Sequence, residues 1–489
     1  MRIHQFWTNL ALKRREWISL LLILIIGALL RLYALSAESF YFDEVYSVWA
    51  ARHSIGWLFS LSTQRIFPPL YYMLLHFWLV FGESEFSVRL LSVTLGLICI
   101  VGVYTLAKQL FGARVGLLSA LLLAISPLHL WYSQEARMYI LVLTLGLYSA
   151  YFMLLALQKG QRWHWLAYVL STAMAMNTHY FILFLAAFEN VYVLYAILRR
   201  RVHFGFWRPW LLSQMAIGLL SAVGLAGIFS AESGYWWGLL DAWHGAPTWR
   251  DLVSTLFKFS FGAQVSSRLF YWVGLPLFGF AAAWSLIDFQ RKRMVLSVDD
   301  GWVFCFLYLT LPIGTVFVIS QFRSFWILRY IFPFLPPYCI IVARGISRMP
   351  GRIWPALMAI TIVWASLWPI ANIYRYEQKE SWRAVVQYIA SQEGPGDFIF
   401  MVDEDVWLPF EHYYRGSLLY VGVSRTITDR DFLAARVGLV LPTHHRIWLV
   451  LSHTNNFALK DYLVTSRYTK LVSEKHFTSV EVDLFAINP

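Results

Sequence analysis

The stretch Trp17–Glu44, WISLLLILIIGALLRLYALSAESFYFDE, decides the fold, because an apolar run long enough to cross a bilayer ends in two acidic residues. A basic N-terminal segment precedes the run, so a cleaved signal peptide is one interpretation. We favour the other interpretation, a retained first helix, because the acidic pair needs a fixed anchor beside it. Asp43 and Glu44 would then lie at the mouth of a membrane bundle, where ionised carboxylates are costly and indicate chemistry.

The composition of the 489 residues indicates a membrane protein with several spans. Hydrophobic residues make up 59% and charged residues 14%, and the mean hydropathy is +0.55, which excludes an ordinary soluble enzyme. A net charge of +12 would suit nucleic acid if the basic residues shared one soluble face. They fall instead in short breaks between apolar runs, which is typical of cytoplasmic loops, so we expect no nucleic-acid partner.

Eleven apolar segments are candidates for membrane-spanning helices. They lie near residues 17–36, 90–108, 115–132, 138–157, 163–177, 180–198, 210–230, 269–288, 302–321, 330–347 and 353–371. Pro68–Phe81 is also apolar, but its length of about 14 residues suits a re-entrant or interfacial helix better. With that choice every later basic cluster is cytoplasmic, which places the N-terminus inside and the C-terminus outside.

We therefore predict an all-α polytopic membrane domain of about 11 helices in residues 1–372, with an external loop at 38–88. Residues 373–489 change composition sharply and predict a small extracytoplasmic α/β domain. Ser381–Gln392 has a helical pattern, and the strand candidates are Phe398–Val402, Arg446–Leu451 and Ser479–Ile487.

Three further motifs follow the acidic pair: Phe67–Tyr72 (FPPLYY), Ser133–Tyr139 (SQEARMY) and Arg329–Pro337 (RYIFPFLPP). Their order resembles the family 39-like membrane glycosyltransferases of the GT-C superfamily, which include protein O-mannosyltransferases and lipid A aminoarabinose transferases. The resemblance implies a GT-C-like bundle that moves a monosaccharide, with inversion, from a polyprenyl-phosphate carrier to an acceptor hydroxyl or amine. It covers residues 17–200 well and 300–390 moderately.

Asp43 and Glu44 have both a structural and a catalytic interpretation. Acidic residues stabilise the first turn of a helix, so capping alone would explain the pair. Glycosyl transfer needs a base that takes the acceptor proton as the anomeric carbon is attacked. The resemblance implies that Asp43 is this base and that Glu44 orients the acceptor or adjusts the pKa of Asp43.

The leaving phosphate needs cations, and an arginine offers a planar fork that matches phosphate oxygens. The resemblance implies phosphate contacts for Arg137, Arg329 and the adjacent Tyr330. Arg89 is a further candidate, and Arg65 is another because this chain has Phe67 where the family normally has His or Lys. The structural alternatives are snorkelling arginines at a membrane boundary and an ordinary aromatic belt.

A second acidic position completes the predicted site. Glu135 lies one helical turn before Tyr139, and the resemblance implies that it places the sugar. The alternative for Glu135 is a local salt bridge that caps the fourth span. Tyr71, Tyr139 and His179 are the predicted substrate contacts, and for His179 the alternative is a hydrogen-bonded structural imidazole.

Two other classes of function stay open at this point. A transporter or flippase of lipid-linked sugars would also hold charged residues, although these would be expected at the bilayer midplane. The other is a non-catalytic paralogue whose C-terminal part binds a partner, which Phe67 leaves open. We expect a bacterial inner-membrane protein whose partners are the lipid bilayer, a polyprenyl-phosphate sugar and a protein, lipid or glycan acceptor. No cofactor is implied, and a divalent metal is left open.

Overall fold

The computed structural model describes residues 2–64, 68–202, 205–226, 245–263, 265, 268–290, 293–323, 325–424, 426–452, 454 and 456–488. The chain divides into two compact units. The membrane unit contains Met1–Tyr33, Ala51–Gly82 and Ser87–Tyr374. The C-terminal unit contains Arg375–Pro489 together with two short segments from early in the chain, Ala34–Ala50 and Glu83–Phe86.

Helices dominate the chain as far as residue 375. They are α1 (Arg2–Leu32), α2 (Phe42–Ala51), α3 (Ile55–Gln64), α4 (Leu70–Trp78), α5 (Glu85–Phe111), α6 (Ala113–Ala124), α7 (Pro127–Ser133), α8 (Tyr139–Lys159), α9 (Arg162–Met176), α10 (Leu183–Leu198), α11 (Trp207–Ala226), α12 (Trp249–Phe261), α13 (Arg268–Trp284), α14 (Asp300–Ile319), α15 (Leu328–Ile331), α16 (Leu335–Arg348) and α17 (Ile353–Arg375). An antiparallel hairpin of β1 (Ile287–Gln290) and β2 (Arg293–Leu296) lies between α13 and α14.

Seven helices in the described residues are long and apolar enough to cross a membrane. They lie at Glu85–Phe111, Tyr139–Lys159, Tyr180–Leu198, Trp207–Ala226, Asp300–Ile319, Leu328–Arg348 and Ile353–Arg375. The pair α6 and α7, bent by 62°, forms an eighth if it is counted as one broken span. The predicted fold class, a helical membrane bundle followed by a small α/β domain, is confirmed.

Eight of the eleven predicted spans thus correspond to described helices that are long and apolar enough to cross a membrane, when the bent pair is counted as one. The segments predicted near 163–177 and 269–288 form α9 and α13, which contain only 15 and 17 residues. Both are shorter than the roughly 20 residues that a straight span needs. The segment predicted near 17–36 forms the C-terminal part of α1. Pro68–Phe81 forms a short apolar helix, as predicted, with α4 followed by a single turn at Leu79–Phe81.

The burial of the spans shows which of them lie at the centre of the membrane unit. Within the apolar 18-residue stretch of each span, 89% is buried in Leu328–Arg348 and 78% in α8. The corresponding share is below 30% in α11 and α17. The outer helices present large apolar side chains such as Leu219 and Trp364, which suit contact with lipid. The segments that precede the two enclosed spans, at residues 134–138 and 325–327, therefore lie where a site can be sheltered.

The break between α6 and α7 has a local cause in the sequence. Pro127 begins α7 and has no N–H group for a continued α6, while its fixed φ suits the first position of a new helix. Ser126 caps α7, because its hydroxyl accepts a hydrogen bond from the backbone N–H of His129 at 3.3 Å. The chain then ends α7 at Ser133 and starts α8 at Tyr139, which leaves a non-helical turn between them.

The C-terminal unit is an α/β domain with a five-stranded sheet. Its further elements are α18 (Trp382–Gln392), β3 (Asp397–Val402), α19 (Trp407–Tyr413), β4 (Leu419–Val423), α20 (Arg430–Gly438), β5 (Arg446–Ser452), α21 (Ala458–Thr465), β6 (Thr469–Phe477) and β7 (Val480–Ile487). The strand order is β4-β3-β5-β7-β6; β3 pairs in parallel with β4 and β5, and β7 pairs antiparallel with β5 and β6. Apolar side chains of α18 and α19 cover one face of the sheet, and those of α20 and α21 cover the other.

Candidate functional site

The turn between α7 and α8 carries two of the predicted charged residues. Glu135 and Arg137 are only 4% and 5% exposed. The hydroxyl of Ser92, on α5, donates to the backbone carbonyl of Glu135 at 2.6 Å. The turn is thus fixed against a long helix, which can hold two charged side chains in a defined place.

Five predicted residues come together beside this turn, and we call them the arginine–tyrosine cluster: Arg137, Tyr139, His179, Arg329 and Tyr330. The guanidinium carbons of Arg137 and Arg329 lie 5.8 Å and 6.0 Å from the ring centre of Tyr139. Arg329 also lies 5.6 Å from the ring of Tyr330. The His179 ring is 6.2 Å from Tyr139 and 5.1 Å from Tyr330. Two guanidinium groups therefore share one aromatic neighbourhood.

His179 is the neutral member of the cluster. It lies in the turn after α9, where its Nδ1 atom accepts a hydrogen bond from the backbone N–H of Phe181 at 3.3 Å. Burial, together with the charges of Arg329 and Arg137, lowers the pKa of His179 to about 3. The imidazole therefore adds no charge at neutral pH, and its local hydrogen bond is the one expected of a structural histidine.

Three aromatic residues that the sequence did not single out complete the surroundings of the cluster. Phe181 stacks on Tyr330 with ring centres 4.4 Å apart. Tyr132 lies 5.4 Å from Tyr139 and 4.4 Å from Phe332. Their positions within two residues of Ser133, His179 and Tyr330 are the only signal that the sequence offers, because aromatic residues are abundant throughout it.

The remaining predicted residues of the membrane unit have varied surroundings. Arg89 lies in the first part of α5 and is 2% exposed. Tyr71 lies in α4, completely buried, with its ring edge-to-face with Tyr72 at 5.9 Å. Arg65 and Phe67 lie outside the described residues.

In the C-terminal unit, Asp43 and Glu44 occupy the first turn of α2, as the capping interpretation predicts. Glu44 is completely buried. The ammonium group of Lys379 lies 3.4 Å from each of its carboxylate oxygens. Lys379 also lies 5.6 Å from the ring of Tyr41. Asp43, in contrast, is only partly buried.

Glu380 fixes the segment in front of α2. Its Oε2 atom accepts from the backbone N–H of Phe42 at 3.2 Å and from the indole N–H of Trp382. Its backbone carbonyl accepts from the hydroxyl of Ser39 at 2.7 Å. Lys379 and Glu380 thus hold the chain on both sides of Asp43, and neither was predicted from the sequence.

One group of potential metal ligands occurs in the described residues, namely Glu474, His476 and Glu481 at the β6–β7 edge of the sheet. The ammonium group of Lys460 lies 3.2 Å from Glu474, pairs with Glu481, and lies 3.1 Å from the buried carboxylate of Asp483. A cation of the protein itself therefore already pairs with these carboxylates, and the geometry favours an ion-pair network.

Comparison with known proteins agrees with the resemblance. Residues 67–225 match the family model described as dolichyl-phosphate-mannose-protein mannosyltransferase. No sequence among curated proteins matches the chain significantly.

Similar folds occur among solved structures. ArnT from Cupriavidus metallidurans, in the apo state, has a TM-score of 0.63 and 14% identity over 96% of this chain and 98% of that one. The same protein bound to undecaprenyl phosphate has a TM-score of 0.62 at 14% identity and the same coverage. The oligosaccharyltransferase of Archaeoglobus fulgidus has a TM-score of 0.53 at 12% identity, covering 88% of this chain and 69% of that one. The predicted resemblance to GT-C glycosyltransferases is confirmed.

Proposed function

We propose that the chain is an inverting glycosyltransferase that moves a monosaccharide from a polyprenyl-phosphate carrier to an acceptor hydroxyl or amine. The observation that carries this proposal is the arginine–tyrosine cluster, in which Arg137 and Arg329 lie 5.8 Å and 6.0 Å from the ring centre of Tyr139. One of the solved structures with a similar fold is ArnT bound to undecaprenyl phosphate. This supports a lipid-phosphate ligand for this chain as well.

The charges of the cluster suit a phosphate. Arg137 and Arg329 each supply a fork of N–H donors, His179 is neutral, and the carboxyl group of Glu135 lies in the same turn as Arg137. Phosphate oxygens gain negative charge as the bond to the sugar breaks, so guanidinium groups in a sheltered place act most strongly at that moment. Tyr139 and Tyr330 orient the two guanidinium groups through their ring faces.

The reaction is a single displacement. The acceptor oxygen or nitrogen attacks the anomeric carbon while the carbon–oxygen bond to the phosphate breaks, and the bonding pair leaves with polyprenyl phosphate. Asp43 takes the proton that the acceptor loses. One displacement inverts the anomeric centre. In this proposal Glu135 places the sugar hydroxyls, with Tyr71 as a further substrate contact, and Arg89 supports the phosphate.

Glu44 has a positioning role in this proposal. Its carboxylate is completely buried and bound by Lys379, which favours a role in holding α2 over a direct contact with the acceptor. The proposal places the reaction at the extracytoplasmic face of a bacterial inner membrane, with the N-terminus in the cytoplasm. A carrier-linked sugar and a protein, lipid or glycan acceptor are the partners.

The test is single-turnover transfer from a panel of radiolabelled polyprenyl-phosphate sugars in native membranes. We expect label to leave one donor, with release of free polyprenyl phosphate in equal amount. Movement of intact donor across the membrane without release of polyprenyl phosphate would instead identify a transporter. Folded protein that acts on no donor would overturn the proposal in favour of a non-catalytic paralogue.

A further inference from the structure

Arg31, in the last turn of α1, is a completely buried cation of the membrane unit. Its Nη1 atom donates to the carbonyl of Ala124 at 2.9 Å, and its Nη2 atom donates to the carbonyl of Leu123 at 3.4 Å. These carbonyls lie at the C-terminal end of α6, where the helix dipole is negative and favours a cation. The carbonyl of Leu123 also accepts from the backbone N–H of Ser126 at 3.3 Å. Burying a cation within a bundle is costly, so such a residue is by default a candidate for function.

The same guanidinium reaches the end of α7. Its Nε atom donates to the hydroxyl of Ser133 at 3.2 Å, and its Nη2 atom lies 2.6 Å from Nδ1 of His129. In return, the side-chain amide of Gln134 donates to the backbone carbonyls of Arg31 and Tyr33, at 3.0 Å and 3.1 Å. The end of α1 is therefore joined to both halves of the bent pair α6 and α7.

Glycines leave the room that these contacts need. A Cβ atom added at Gly96, on α5, would lie 2.6 Å from the hydroxyl oxygen of Ser133 and 3.4 Å from Nε of Arg31. One added at Gly27 would lie 3.4 Å from Nη1 of Arg31 and 3.1 Å from Ile100. The Gly96 contact is too close for an alanine, so either Ser133 or the helix would have to move.

We propose that Arg31 is a positioning residue that holds the turn carrying Glu135 and Arg137 in the geometry that receives the lipid-linked donor. The inference rests on the proposed function, because it concerns the same site. Arg31 anchors Ser133, two residues before Glu135, and Ser92 anchors the carbonyl of Glu135. Without the guanidinium, the turn loses the anchor at Ser133 and is held to the end of α1 by the Gln134 amide alone. Arg137 then loses its fixed place in the arginine–tyrosine cluster.

The test is equilibrium binding of undecaprenyl phosphate to the full chain in nanodiscs, with single-turnover transfer measured in parallel. For Arg31→Gln, and separately for Gly96→Ala, we expect the Kd to rise about tenfold or more. Arg31→Lys should recover part of the affinity, because an ammonium group keeps the charge but cannot reproduce the planar fork.

Arg344→Gln is the matched control. Arg344 is also buried in the membrane unit, but it pairs with Asp299 through two hydrogen bonds of 2.9 Å and 2.6 Å. We expect this variant to change the yield of folded protein and to leave the Kd of the folded fraction as in wild type.

The outcomes separate this inference from the proposed function. Wild-type protein that neither binds undecaprenyl phosphate nor transfers sugar would overturn both. Wild-type binding together with unchanged binding by folded Arg31→Gln would overturn the positioning role alone. If Arg31→Gln does not fold, Gly96→Ala decides the matter in the same way.

A double variant adds a sharper criterion. If Arg31 acts through the turn, Arg31→Gln should weaken binding much less in an Arg137→Gln background than in wild type. Equal weakening in both backgrounds would show that Arg31 acts independently of Arg137, which contradicts the inference.

Discussion

The ammonium group of Lys379 lies 3.4 Å from both carboxylate oxygens of Glu44, and both side chains are buried. The pair joins the first turn of α2 to the segment that precedes α18. Asp43, the proposed base, is the neighbour of Glu44 in that turn, so the ion pair fixes the backbone from which the base projects.

Removing one partner of this pair should be far more harmful than removing both. Lys379→Met leaves the Glu44 carboxylate buried without its cation, which should cost about 3–5 kcal/mol of stability. Glu44→Gln leaves the Lys379 ammonium group buried without its carboxylate. In the double variant Lys379→Met, Glu44→Gln, neither charge remains, so most of the stability should return. Thermal unfolding of the four proteins measures the cycle, and a double variant as unstable as the two single losses combined would contradict the account.

Arg137→Gln and Arg329→Gln should each weaken donor binding. A hydrogen bond to a charged group contributes about 1.5–3 kcal/mol, so the Kd for undecaprenyl phosphate should rise roughly 10- to 100-fold for each variant. Arg208→Gln is the control, because Arg208 lies on the exposed side of α11 beside Trp207. An unchanged Kd for both cluster variants would show that the cluster does not bind the carrier phosphate.

The Lys460 network predicts a pH dependence for the C-terminal unit. Burial raises the pKa of Asp483 from 3.8 to about 6. A carboxyl group with a higher pKa in the folded state holds more protons when folded, so its contribution to stability falls as the pH rises towards and through 6. The pKa of Glu474 shifts in the opposite direction, because the hydrogen bond from Lys460 lowers it below 4.5. The contribution of Glu474 to stability is therefore constant above pH 5.

We expect β6 and β7 to be more stable at pH 5 than at pH 7 by about 1 kcal/mol. Asp483→Asn should remove this difference, whereas Asp461→Asn, at an exposed position on α21, should preserve it. Hydrogen exchange of peptides from β6 and β7 in the full chain, corrected for intrinsic exchange rates, measures both. Greater protection at pH 7 than at pH 5 in wild type would show that the predicted direction of the pH dependence is wrong.

The features that the sequence predicted well have strong local signals. Apolar runs of span length became helices, and the Ser133–Tyr139 motif became the turn at the centre of the cluster, because its residues are adjacent in the chain. Three of the five C-terminal strands were predicted, since β3, β5 and β7 are continuous apolar or alternating runs. Pro68–Phe81 also became the predicted short helix.

The features that the sequence did not predict depend on contacts between distant residues. β6 is mostly exposed and carries lysine and glutamate, so its pattern is that of a loop. Lys379 and Glu380 gain their importance from Glu44 and Phe42, more than 300 positions earlier, and no periodicity reveals that pairing. Arg31 did leave a signal, a single cation within an apolar run, but its partners on α6 and α7 depend on the bend at Pro127.

Asp43 is the residue that we propose takes the acceptor proton during sugar transfer. Single-turnover transfer from the donor that wild-type protein uses, measured in native membranes for wild type, Asp43→Asn and Asp43→Glu, tests this proposal most directly. We predict that Asp43→Asn binds undecaprenyl phosphate like wild type but transfers sugar at least about 100-fold more slowly, with partial activity in Asp43→Glu. Near-normal turnover by folded Asp43→Asn would contradict the account.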